Sequence, residues 1–261
     1  MHLLGLDLTI ATAGLLVGFT VGLTGMGGGA LMTPIMVIFF GVAPLAAVSS
    51  DLLVSLVMKP VGGMVHFRRG TVRMDLVRWL VVGSVPAAFA GALLLRALGP
   101  AHVEPLLKRA LGLALVAAAA AMVLRTRLAR TRGVGPEHRL TTVRPLPTMA
   151  VGVFGGLIVG LTSVGSGSLM IVLLLVLYPG LSSAELVGTD LVQAIPLVAA
   201  AALGHVLFGD IRLGLTISLL VGALPGVYVG ARLSARAPER VVRPTLLVVL
   251  LTSGLKLLQV I

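Results

Sequence analysis

Cysteine is missing from all 261 residues. That absence removes disulfides, thiolate-held zinc and thiol catalysis. Aromatic residues reach only 4%, so the chain offers no stacking platform for nucleic-acid bases. Charge is scarce as well: 20 Lys and Arg, 9 Asp and Glu, together 11% of the chain. No H-E-x-x-H, G-x-S-x-G or P-loop pattern occurs, and the five histidines are scattered. The reading is therefore not an enzyme, with no cofactor and no metal. The first residues lack a basic stretch and an A-x-A site, so the first apolar stretch is expected to be retained rather than cleaved.

What is present is apolar surface. Hydrophobic residues make up 57% of the chain and the mean hydropathy is +1.11. No water-soluble domain hides that much, so the expected fold class is an all-α polytopic membrane protein. The net charge of +11 then reads as the positive-inside bias of short loops rather than as a nucleic-acid surface. Ten apolar stretches are legible, at about 8–23, 29–40, 43–65, 72–95 and 102–124, then 148–162, 167–178, 184–205, 211–233 and 241–260. Between them lies a linker, 125–147, carrying Arg125, Arg127, Arg130, Arg132, Arg139 and Arg144. The expected organisation is a first membrane repeat over 1–124, a basic cytoplasmic linker over 125–147 and a second membrane repeat over 148–261. A full span needs about 20 residues. The first two stretches of each half fall short, and either cross as short spans or fold back as re-entrant half-helices.

The halves repeat. The run GLTGMGGGALM at 22–32 returns as GLTSVGSGSLM at 160–170, 138 residues later. At an offset of 139, Ser50-Asp51-Leu52 matches Thr189-Asp190-Leu191, and His66, Gly70 and Arg73 match His205, Gly209 and Arg212. Gly83, Pro86 and Gly91 match Gly222, Pro225 and Gly230. With the linker in the cytoplasm, the 66–71 loop is basic inside, whereas its counterpart at 206–210 falls outside. The 234–240 loop, flanked by Arg232, Arg236, Arg240 and Arg243, falls inside. Equivalent loops swap their charge bias, which is the pattern of two inverted-topology repeats of about five segments each. Both termini are then expected outside the cell membrane, in agreement with residues 1–58, which hold no Lys or Arg.

The two Gly-rich turns carry the functional expectation. A broken backbone in hydrocarbon leaves amides and carbonyls unpaired, at several kcal/mol each, so such a break belongs against protein or a water-filled cavity. Helices opening near Gly28 and Gly167 would aim bare N–H groups at a shared anion. The first turn contributes Thr24, Gly25, Gly27, Gly28 and Gly29. The second contributes Thr162, Ser163, Gly165, Ser166, Gly167 and Ser168. The competing reading is close helix packing by small residues. Asp51 and Asp190 lie at membrane depth and serve either as proton carriers or as caps bonded to the facing turn. Lys59 aligns with Val198; it either snorkels to the interface or draws anions to the inner mouth. Gln193, aligned with Val54, either faces a cavity or bonds a neighbouring helix. His66 and His205 read as interfacial anchors or loop bonds, with a proton relay as the alternative, and Pro86 and Pro225 as kinks.

The two runs, each followed some 20 residues later by a hydroxyl–Asp pair, with H-x-x-x-G-x-[IV]-R and G-x-x-P segments after them, resemble the TauE/SafE family of membrane anion exporters. The resemblance covers about residues 8–258. It implies export of sulfite, sulfoacetate or a related organosulfonate across the plasma membrane by a secondary transporter. An anion channel using the same turns as a filter, or a non-transporting scaffold subunit, are the alternatives. The expected partners are a small anionic substrate, the lipid bilayer and, at most, a second copy of the chain as a homodimer; nucleic acid is not among them. The second turn places Ser163, Ser166 and Ser168 where the first has Gly25, Gly28 and Ala30, so the half-sites are chemically unequal.

Overall fold

The computed structural model describes residues 2–3, 6–24, 28–98, 100–131, 142–233 and 239–259. Two short antiparallel strands, β1 (His2–Leu3) and β2 (Leu6–Asp7), precede ten helices. These are α1 (Leu8–Thr24), α2 (Gly29–Phe39), α3 (Pro44–Arg68), α4 (Met74–Leu98) and α5 (Pro100–Thr131), then α6 (Pro145–Thr162), α7 (Leu169–Leu177), α8 (Ser183–Phe208), α9 (Leu213–Leu233) and α10 (Glu239–Leu257). Six of them are long and apolar enough to cross a membrane. Local chemistry sets several boundaries. Proline fixes the first turns of α3 and α6. Ser182 and Glu185 form a reciprocal capping box that opens α8. Ser163, left-handed at φ 58°, closes α6.

The short helices settle how the Gly-rich segments run. At about 1.5 Å per residue, the 11 residues of α2 and 9 of α7 cover only about half of a hydrocarbon layer. Helix α3 runs antiparallel to α8: Ser49 near the start of α3 bonds His205 near the end of α8, and Gly188 near the start of α8 lies against His66 and Thr71 at the end of α3. Helix α1 runs parallel to α9, with Gly14 against Leu219, Gly18 against Ala223 and Gly230 against Phe19. The start of α1 therefore sits at the face where α8 ends and α3 begins, and α2 returns to that same face. Helices α1 and α2 form the two arms of a re-entrant hairpin. The second half does the same from the opposite face. Helix α6 runs parallel to α4, Gly152 against Leu80, Gly156 against Ser84 and Gly160 against Ala88. The Tyr178 hydroxyl, after α7, bonds the Thr148 hydroxyl and accepts from the Arg144 amide at 2.9 Å, closing the hairpin at its base.

The packing follows the repeat. Helix α1 against α9 corresponds to α6 against α4, while α3 pairs with α8 and α5 with α10 across the halves. Gly14 on Leu219 corresponds to Gly152 on Leu80, and Gly18 on Ala223 to Gly156 on Ser84. Without Cβ atoms the backbones approach closely, which is what holds helices together where lipid removes the hydrophobic drive. A buried cluster including Met32, Met36, Leu52, Val54, Leu115, Val164, Leu197 and Ala223 fills the centre. Helix α5 continues to Thr131, seven residues past the end of its apolar run, because Arg and Leu are good helix formers even where the surface turns polar.

Candidate functional site

The two hairpin tips touch. Gly29, at the start of α2, lies so close to Ser163 that a Cβ built on it would overlap the Ser163 carbonyl oxygen. Gly29 and Ser163 are both buried. Gly28, the N-cap of α2, takes helical angles and its carbonyl accepts from the Leu31 and Met32 amides at 3.0 and 2.9 Å. A Cβ on Gly28 would sit 3.7 Å from both Asp51 Oδ1 and Ser55 Oγ, an ordinary contact. The steric demand for glycine thus falls on Gly29. In the second tip Gly165 and Gly167 hold φ of 125° and 99°, a region side chains rarely adopt. Ser168 is the N-cap of α7, yet its hydroxyl caps nothing: it is buried and has no hydrogen-bond partner.

Lys59, on α3, points into this centre. It is 7% exposed and its ammonium donates to the Ser166 hydroxyl of the second tip. Among the described residues it is the one buried Lys or Arg. It does not snorkel. Asp190 and Asp51 are the carboxylates whose charge it feels. Asp190, fully buried on α8, accepts from Gln193 Nε2 at 3.0 Å and faces the Gly167 amide of the second tip. Gln193 is buried too, and its Oε1 accepts from Ser84 on α4 at 3.4 Å. It therefore bonds both a neighbouring helix and the Asp190 carboxylate.

Asp51 is the repeat partner of Asp190 but is served differently. Its Oδ2 accepts from Thr33 Oγ1 on α2 at 3.0 Å, and its Oδ1 is buried with no hydrogen-bond partner. The Ser163 hydroxyl lies beside the carboxyl. The preceding hydroxyls diverge as well: Ser50 is buried without a partner, while Thr189 accepts from the Arg73 amide at 3.1 Å.

The structure thus brings Gly28, Gly29, Asp51, Lys59, Ser163, Ser166, Gly167, Asp190 and Gln193 into one connected cluster. Thr162 stands apart, its hydroxyl donating to the Ile158 carbonyl at 2.7 Å and accepting from the Val164 amide at 3.2 Å within its own turn. Gly25, Gly27 and the side chain of Thr24 lie outside the described residues. Thr33 was not singled out by the sequence, although a hydroxyl one helical turn into the segment after a Gly-rich tip was the available signal. His205 also differs from expectation. It is buried, bonding the Gly160 carbonyl of α6 and Ser49 of α3, each at 2.8 Å. His66 makes the expected loop bond, to Thr71 at 3.0 Å.

Residues 10–257 match the family described as sulfite exporter TauE/SafE. The chain is similar to the probable membrane transporter protein YjnA of Bacillus subtilis (strain 168), 38% identical over 260 residues, covering 97% of this chain and all of that one. It is also similar to the probable membrane transporter protein YdhB of the same organism, 25% identical over 245 residues, covering 93% and 96% of the two chains. No solved structure matches.

Proposed function

The chain belongs to the TauE/SafE family of membrane transporters, and from that premise we propose that it is a secondary carrier exporting a small oxyanion, sulfite, sulfoacetate or a related organosulfonate. The observation that carries this reading is the meeting of the two hairpin tips, entering from opposite faces, at a buried ammonium. The cargo sits beside the contact between the tips. The Gly167 amide is already served by Asp190, so the anion draws on the other donors: Lys59, the hydroxyls of Ser166 and Ser168, and the leading amides of α2, which no carbonyl within that helix can reach. Buried donors without water are worth more to an anion than the same groups in solvent. Movement of one helix bundle against the other exposes the site to each side in turn. The basic 125–147 linker faces the cytoplasm of the plasma membrane and both termini face out.

Thermal unfolding of the purified protein with sulfite, sulfoacetate, taurine and thiosulfate tests the cargo. A ligand at a hundredfold excess over its Kd adds about 2.7 kcal/mol of stability, so at least one of the four should raise the melting temperature by several degrees. A melting curve unmoved by all four overturns the reading in favour of a scaffold. Counterflow of the stabilising anion in proteoliposomes is the second expectation; single-channel current without counterflow would make the same site a filter.

A further inference from the structure

Asp51 and Asp190 occupy equivalent places in the two halves, yet the groups that bond their carboxyls differ. Asp190 receives an amide from Gln193, faces a backbone amide at Gly167, and feels Lys59 and Arg125. Asp51 receives the Thr33 hydroxyl, has the Ser163 hydroxyl beside its carboxyl and also feels Lys59, while its Oδ1 is fully enclosed without a hydrogen-bond partner. That bare oxygen faces the start of α2, 3.7 Å from where a Gly28 Cβ would be. A charged Asp51 would therefore stand beside the leading amides of α2 that the proposed cargo uses. It would repel the cargo in a buried setting where the repulsion is poorly screened.

The charges facing Asp51 can be taken element by element. Its own helix contributes Lys59 within the cluster and His66 and Arg68 at its far end. Helix α2 contributes no titratable side chain, and neither do α6, the 163–168 tip or α7. Helix α8 contributes Glu185 in its first turn, Asp190 one turn further on, and His205 near its other end, whose ring nitrogens are bonded to Ser49 and Gly160. Of α5, Arg125 acts on Asp190. Helix α9 carries only Tyr228 and Arg232, in its last two turns. The central cluster therefore sums to one ammonium against two carboxylates, and one proton balances it.

We propose that Asp51 is the proton site of the carrier: it holds a proton while the anion is bound and gives it up when the anion leaves, while Asp190 stays ionised as the partner of Lys59. This rests on the anion-carrier reading. The step is a simple protonation, carboxylate plus proton to carboxylic acid, with the proton supplied by water on whichever side the site faces. A singly charged cargo then travels with one proton and moves no net charge, so its flux follows the cargo and pH gradients and not the membrane potential.

Two measurements test it, and they fail separately. Infrared spectroscopy of the purified protein, titrated with acid, should show a protonated-carboxyl band that is lost in Asp51→Asn, kept in Asp190→Asn, and displaced in Thr33→Val, which alters only a neighbour. Proteoliposomes loaded with methanesulfonate, a sulfonate of single fixed charge, should alkalinise inside as the anion leaves, read by an entrapped dye. The rate should fall about tenfold per pH unit once the site empties of protons. Asp51→Asn, whose amide mimics the neutral acid, should lose both the alkalinisation and the pH dependence of methanesulfonate counterflow. A band that persists in Asp51→Asn, or that vanishes in Asp190→Asn instead, overturns the proposal, as does alkalinisation that survives in Asp51→Asn. Absent methanesulfonate flux in the wild-type protein counts against the cargo reading, while the infrared band still decides the proton site.

Discussion

The hairpin of the first half and the hairpin of the second have the same course, the same partner helices and the same glycine contacts, but their chemistry differs residue by residue. Thr33, which donates to Asp51, has Ile171 as its counterpart. Lys59 aligns with Val198, Gln193 with Val54, and Ser49, which holds His205, with Gly188. Groups that shape the backbone and the two carboxylates are duplicated, while the cation and the side chains that bond the carboxylates occur once. A duplicated frame provides two related faces, each able to reach the centre. A single negatively charged cargo needs one cation and one set of hydroxyls, so the second copy is free to lose them. The first half supplies the ammonium, and the second supplies the serines it meets.

The sharpest way to break this comparison is at the tips. Gly29→Val should remove folded protein, since even a Cβ there collides with the Ser163 backbone, at or above the upper end of the about 1–3 kcal/mol that overpacking costs. Gly28→Ala, one residue away, meets only van der Waals contacts and should leave the size-exclusion profile and the melting temperature nearly unchanged. Equal loss in both would mean the tips are not in contact. Next is the cation. Lys59→Met removes the one buried cation among the described residues from near two buried carboxylates, and leaving buried charge uncompensated costs about 3–5 kcal/mol. Adding Val198→Lys moves the cation to the equivalent place in the other half. Because the hydroxyls are not duplicated, the double variant should still show no anion counterflow; restored flux would show the halves to be chemically interchangeable. The smallest effect concerns the histidines. His205→Gln loses bonds to two neighbouring helices and should cost about 1–2 kcal/mol, seen as a lower melting temperature, whereas His66→Gln loses a bond within its own loop and should cost less.

Much of the architecture was legible in the sequence. All ten helices fall on the ten apolar stretches, because burial in lipid demands uninterrupted apolar runs and the Gly, Pro and Arg clusters interrupt them. Whether the short stretches crossed or turned back was not legible. Length showed that α2 could not span, but its direction depends on which helix it lies against. The Gly14/Gly18 and Gly222/Gly226/Gly230 series mark two close-packing faces, yet nothing in either series says that they face each other across the linker. The same limit applies to the site. Asp51, Asp190 and Lys59 stood out as charges in apolar runs. Thr33 did not, because a hydroxyl in a helix is unremarkable until its partner is known. His205 misled for a related reason: it sits near a helix end, but that end is covered by α3 and α6.

The pairing of α1 with α9 and α6 with α4 has a consequence for how the chain can be divided. Each hairpin's first arm is seated along a helix that belongs to the other half, backbone against backbone at its glycines. A cut within 132–141 would therefore yield two fragments, each missing the cradle for its own opening helix and each offering an empty one. Neither fragment would be a smaller version of the whole, and only their recombination would give either hairpin its seat.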